Sequence, residues 1–187
     1  MRLFFAAELD TRLADDLEQA IAPLRALEPN LAWVVPDKRH LTLRFLGDVV
    51  EAALPALVAT TDRLAATHRP FDMELGGVGA FPSLRRARVL WIGVEQEPRL
   101  ELLHHDLELA LEPLGHELEG RPFRPHVTLA RVRTPLDAER GRALARAARK
   151  VAFSATQHVA ALTLFESVLG PTGSRYRRVL AATLGGR

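Results

Sequence analysis

The sequence predicts an α+β fold, and three observations carry that prediction. Stretches with the two-residue apolar period of strands and stretches with helical spacing both recur along the chain. Neither kind segregates to one half, and nothing requires the strands to be parallel. A strand pattern of the first half also reappears in the second: Pro-x-x-x-His-Leu-Thr-Leu at 36–43 against Pro-His-Val-Thr-Leu at 125–129, each followed by a helical stretch. His40 and His126 stand 86 residues apart in a chain of 187, the spacing of a duplicated lobe.

From the N-terminus, RLFFAAEL reads as a strand, and Asp10 then caps a helix TRLADDLEQAIAPLRAL in which Leu13, Leu17, Ile21 and Leu24 share one face. LAWVV is a short strand closed by Pro36 and Asp37. HLTLRFLG alternates Leu41, Leu43 and Phe45 with His40, Thr42 and Arg44 and stops at Gly47, the signature of a strand buried on one face. Helical spacing resumes through Leu54, Leu57, Val58 and Leu64, with Pro55 in its first turn.

FDMELGGVGAFPS and ARVLWIGVE predict two strands around a turn-rich segment. GGVG at 76–79 reads as a turn, because no Gly-Lys-Ser/Thr follows to make a phosphate loop. PRLELLHHDLELALEPLG is a helix opened by a proline, and the turn GRPFRP leads into the strand HVTLARV. A helix over DAERGRALARAARKV follows, then two last strands, VAALTLFESVL and SRYRRVLAATL, around the turn GPTGS. Low-complexity segments and linkers are absent, so residues 1–187 read as one domain.

Composition narrows the chemistry. The chain has no cysteine, which removes disulfides, thiolate metal sites and cysteine nucleophiles and suits a reducing compartment. The N-terminal apolar run meets Glu8 too early for a secretory signal, and no run approaches the ~20 apolar residues of a membrane span, so a cytoplasmic protein with no membrane partner is expected. The net charge is only +2, although the isoelectric point is about 9.6 because lysine occurs only at Lys38 and Lys150 and the other basic residues are arginine. Such a balance does not by itself predict a nucleic-acid partner.

The repeated His-x-Thr pattern does suggest a reaction. His126 and Thr128 share a strand face as His40 and Thr42 do, so lobes related by a pseudo-twofold axis would set two imidazoles and two hydroxyls around one space. An imidazole with an ordinary pKa of about 6.5 serves as general base when neutral and as general acid when protonated. Hydroxyls two residues along can donate to the oxygens of a group under attack. That set suits displacement at phosphorus, with one histidine deprotonating water, the other protonating the departing sugar oxygen, and no metal or cofactor demanded.

These two motifs resemble the paired H-x-T-x signature of the 2H phosphoesterase superfamily. The flanks RLFFAAEL, HLTLRFLG, VGAFPS, RVLWIGV, RPFRPHVTLAR and SRYRRVL further resemble the RNA 2′,3′-cyclic phosphodiesterases, historically called 2′-5′ RNA ligases. The resemblance implies a bilobal α+β fold, each lobe an antiparallel sheet with helices on its outer face and both motifs lining a cleft between. It implies hydrolysis of an RNA 2′,3′-cyclic phosphate end to a 2′-phosphate, with His40 as proton donor, His126 as proton acceptor, and Thr42 and Thr128 on the phosphate. Joining or cleaving 2′-5′ linkages belongs to the same family, and a non-catalytic RNA-binding module is the remaining alternative. The partner is then RNA with a cyclic phosphate end or a cyclic nucleotide, and a monomer is expected.

Four further residues are candidates for substrate binding. Alternation puts Arg44 on the face of His40 and Thr42, either on an RNA phosphate or at a solvated rim, and Phe45 on the opposite face, in the core or against a base. By the same count Arg131 falls opposite His126, where it pairs with a carboxylate beneath or reaches round a strand end. Tyr176, the only tyrosine, lines or closes the cleft. The other histidines read as ordinary: His104 and His105 are adjacent on a helix, His116 ends it, and His68 and His158 sit near element ends. The helix bearing Arg142, Arg146 and Arg149 carries a solvated basic face.

Overall fold

The computed structural model describes residues 1–170 and 173–185; the centre of the expected GPTGS turn, Pro171 and Thr172, lies outside the described residues. The strands are β1 (Arg2–Glu8), β2 (Ala32–Trp33), β3 (His40–Asp48), β4 (Phe71–Phe81), β5 (Val89–Val94), β6 (His126–Arg131), β7 (Ser154–Val159), β8 (Ala161–Gly170) and β9 (Gly173–Thr183). The α-helices are α1 (Thr11–Ala20), α2 (Ala22–Leu27), α3 (Leu54–Thr67), α4 (Pro98–Leu111) and α5 (Ala138–Ala148).

All pairings are antiparallel, and the strands follow the order β7-β4-β5-β6-β3-β1-β8-β9, with β2 attached to β6. Instead of two separate sheets, one continuous path runs through two four-stranded blocks. They are joined where Leu41 of β3 faces Val127 of β6, the single registered pair between those strands. The order is symmetric about this junction, with β1, β8 and β9 on one side and β5, β4 and β7 on the other. The halves of the chain interleave, because β4 crosses to β5 while β8 returns from the far end to pair with β1.

Leu41 and Val127 are fully buried, as are Phe5 beneath β1, Leu90 and Ile92 on β5 and Leu162 and Leu164 on β8. Helices cover this face: α4 packs on β3, and α3 on β8, β9 and α4. The other side of β3 and β6 is left for polar residues.

Three expectations need correction. The first predicted helix is two, interrupted at Ile21, because Pro23 has no N–H to continue the ladder and starts a new helix well. GGVG lies inside β4 rather than in a turn: Gly77 takes φ +69° at a bulge between the pairs Gly76↔Gly93 and Val78↔Ile92, which only glycine adopts without strain. A strand absent from the sequence reading, β7, pairs with β4 from Phe71↔Val159 to Gly76↔Ser154. Its sequence SATQHV is polar at every second position and was hidden by its shortness.

Candidate active site

The antiparallel register set by Leu41↔Val127 brings His40 across from Thr128 and Thr42 across from His126. With Leu41 and Val127 turned into the core, alternation turns all four polar residues to the other face. The two His-x-Thr motifs thus meet at one spot from opposite directions, and all four side chains are half-buried.

Each imidazole is fixed in the same way. His40 Nδ1 lies 2.9 Å from the Lys38 carbonyl oxygen and His126 Nδ1 lies 2.6 Å from that of Arg124, the residue two places upstream in both cases. A carbonyl only accepts, so both Nδ1 atoms carry hydrogen and donate, leaving Nε2 as the nitrogen available for proton transfer. Aromatic rings brace the outer sides: Phe4 at 4.9 Å and Tyr176 edge-on at 5.2 Å from His40, Phe81 edge-on at 5.0 Å from His126. Burial lowers the pKa of both histidines below the usual imidazole value. The carbonyl contacts oppose the shift, Arg131 adds to it at both sites, and Glu8 opposes it at His40.

Alternation fails immediately past each threonine, and in the same manner. In β3 the partners jump from Ala6↔Thr42 to Phe5↔Arg44, and in β6 from Trp91↔Thr128 to Leu90↔Ala130. Leu43 and Leu129 are therefore the extra residues of two matched β-bulges, which reverse the facing of the residues that follow, in β3 as far as a second bulge at Leu46. Arg44 is not on the face of His40: it is buried, with Nε 3.0 Å from Glu108 Oε1 and Nη1 2.8 Å from Glu119 Oε1, and it also donates to the Glu117 carbonyl. Phe45 is not in the core but 55% exposed beside Phe4, on the side of the histidines. Arg131, expected opposite His126, is exposed next to the buried Ala130, so the bulge turns it to the side of His126.

Cavities flank the motif pair on both sides. One of about 790 Å³ borders His40, with Lys38, Phe165, Arg175, Tyr176 and Arg178 in its wall. Another of about 440 Å³ borders His126 and Thr42, with Phe45, Phe81, Arg121, Phe123 and Arg124. Tyr176 thus lies in the wall beside His40. Phe81, Phe123 and Arg121 escaped the sequence reading, although VGAFPS and RPFRP carry them; neither segment has a periodicity that aims a side chain.

The remaining histidines lie elsewhere in ordinary roles. His68 is buried with Nε2 3.1 Å from Asp106, His158 Nδ1 lies 2.6 Å from Asp72, and His104 stacks on Phe123 with ring centres 4.0 Å apart. Among the described residues no group of three or more His, Asp or Glu is placed to hold a metal, and no helix is long and apolar enough to cross a membrane.

Comparison with known proteins places the chain in a family. The chain is 30% identical over 176 residues to an RNA 2′,3′-cyclic phosphodiesterase of Methanothermobacter thermautotrophicus, covering 94% of this chain and 95% of the relative. It is 38% identical over 143 residues to one of Thermus thermophilus, covering 72% and 70%. Among solved structures, TT0787 of Thermus thermophilus superposes with a TM-score of 0.79 at 31% identity, covering 100% of this chain and 99% of that one. The LigT protein of E. coli complexed with 3′-AMP gives 0.74 at 29% identity, covering 98% and 97%. Residues 4–170 match the 2′-5′ RNA ligase superfamily, and with the paired His-x-Thr strands at its centre the chain belongs to that family.

Proposed function

We propose that this chain hydrolyses the 2′,3′-cyclic phosphate at an RNA end to a 2′-phosphate by metal-independent acid and base catalysis at His40 and His126. The observation that supports it most is the equivalence of the two imidazoles, each donating from Nδ1 to the carbonyl two residues upstream and each diagonal to the other across Leu41↔Val127. His126 Nε2 takes a proton from water as its oxygen bonds to phosphorus. His40, protonated, gives its Nε2 proton to the 3′ oxygen as the P–O3′ bond breaks, and the Lys38 carbonyl favours that charged form. The Thr42 and Thr128 hydroxyls donate to the non-bridging oxygens, and the Arg131 guanidinium offsets the negative charge gathering there. One chain supplies every group, so the site functions in a monomer formed by residues 1–187 as one domain.

The test is product identification. The protein, in EDTA, is incubated with an oligoribonucleotide ending in a 2′,3′-cyclic phosphate. A 2′-phosphate is expected. A 3′-phosphate would reverse the oxygen that is protonated, dependence on an added divalent ion would remove the metal-free mechanism, and binding without turnover would make the chain an RNA-binding module.

A further inference from the structure

The symmetric order of the sheet gives the site residues of one block counterparts in the other, and one pair of counterparts does not match. β1 and β5 flank the two His-x-Thr strands in the same register. Ala6 lies across from Thr42 and Glu8 across from His40, as Trp91 lies across from Thr128 and Gly93 across from His126. Where His40 meets a carboxylate, His126 meets bare backbone. Residues directly opposite each other on one face of an antiparallel pair have Cβ atoms about 4.5–5.5 Å apart. A carboxylate at that range favours the protonated imidazole.

Glu8 is fixed in that place. One of its oxygens accepts from the hydroxyl of Thr163, a buried residue of β8, at 2.8 Å, and the other pairs with Arg178 of β9. Glu8 and His40 wall the larger cavity together. The other carboxylates there, Asp15 on α1 and Asp37 before β3, are exposed and stand outside the β1–β3 register. The cations facing the same space are Lys38, Arg175 and Arg178, with Arg131 acting from β6, while Arg39 is turned onto Glu18 and the Ala14 carbonyl. Tyr176 adds a phenol, and β8 only the uncharged Phe165.

Beside His126 the equivalent place is closed to any side chain. A Cβ at Gly93 would lie 2.9 Å from the Gly76 carbonyl oxygen on β4. The one carboxylate in the smaller cavity, Glu119, is paired with Arg44, and the charges left around His126 are those of Arg121, Arg124 and Arg131.

We infer that Glu8 is what makes His40, and not His126, the proton donor: anchored by Thr163, its carboxylate keeps the shared proton on His40, while Gly93 leaves His126 free to accept one. This deepens the proposed function and rests on His40 and His126 being the reacting pair. Glu8 touches no reacting atom; it is a positioning residue that acts through His40.

The test is the pH profile of kcat/KM for a 2′,3′-cyclic nucleotide, measured on the whole protein and on Glu8→Gln, which keeps an acceptor for Thr163 and Arg178. With His40 as donor, the reactive form differs from the doubly protonated pair only by the proton on His126, and from the bare pair only by the proton on His40. Glu8→Gln should therefore lower the alkaline limb roughly tenfold, the low end for losing an adjacent opposite charge, and leave the acid limb within about twofold. Were His40 the base, the variant would raise the acid limb and spare the alkaline one. That result overturns the inference. So does an equal loss on both limbs, which would make Glu8 a packing or substrate contact, and so does an unchanged profile. Should Glu8→Gln fail to fold, Arg178→Met supplies the opposite sign: without the counter-ion, the alkaline midpoint should move to higher pH, and a midpoint that stays or falls would overturn the inference. A parent with no turnover, or with no bell, would sink the two-histidine reading itself.

Discussion

A histidine on a strand is commonplace; what singles out His40 and His126 is that the same carbonyl, two residues upstream, orients both rings. That contact fixes the tautomer and releases Nε2, so on the proposed mechanism a change at either ring removes a proton carrier. His40→Ala and His126→Ala should each lower kcat by at least ~10²-fold. The double variant should lose far less than the product of the two if the groups act as the proposed unit. Multiplicative losses in steady-state assays would show the two histidines working independently. Thr42→Val and Thr128→Val keep shape and strand propensity while deleting a donor, so far-ultraviolet dichroism should be unchanged and kcat should fall ~10- to 10³-fold. Serine at either position should recover part of the rate, and full activity of the valine variants would reduce these threonines to strand formers.

At the scale of elements, each His-x-Thr strand depends on an arginine that ties down what precedes its motif. Arg39 donates to the Ala14 and Val34 carbonyls at 3.1 Å each and pairs with Glu18, fastening the approach to His40 onto α1. Arg44 fastens segment 117–119 to α4 through Glu108 and Glu119, and Glu108 also accepts the Glu119 N–H at 2.7 Å. That segment leads to Arg124, whose carbonyl holds the ring of His126. Arg44→Met strands a buried carboxylate and should cost roughly 3–5 kcal/mol in urea unfolding. Arg44→Met should also lower kcat by loosening the segment that leads to Arg124, and replacing Glu108 by leucine as well should return part of the stability but not that activity, since the segment stays untied. If Arg44→Met were as stable and as active as the parent, the segment would be held by other contacts.

Across the molecule, the mixed α+β composition, the repeat and the central His-x-Thr pairs were legible because alternation and spacing are local properties. What escaped was long-range. A bulge is created by a partner strand, so nothing within HLTLRF announces that Leu43 is skipped and that Arg44 and Phe45 exchange faces. The acids that draw Arg44 inward lie on α4 and in the loop after it, more than sixty residues on. The crossing of β4 and β8 between the blocks is likewise a choice among pairings that period-two patterns leave equal. Arg131 returns to the histidines for the same reason that Arg44 leaves them.

If two histidines share the roles of acid and base as proposed, the pH dependence of kcat/KM for a 2′,3′-cyclic nucleotide, measured in EDTA, carries the ionisations of both. Burial and Arg131 lower both imidazoles in the free protein. The form with one proton on the pair is therefore most populated below the ordinary value of about 6.5. The profile should be a bell with its maximum on the acid side of that value. The bell for kcat should move upward, because a bound anionic phosphate favours the charged imidazole. A rate rising through one ionisation to a plateau, or activity lost to the chelator and restored by a divalent ion, would contradict the account.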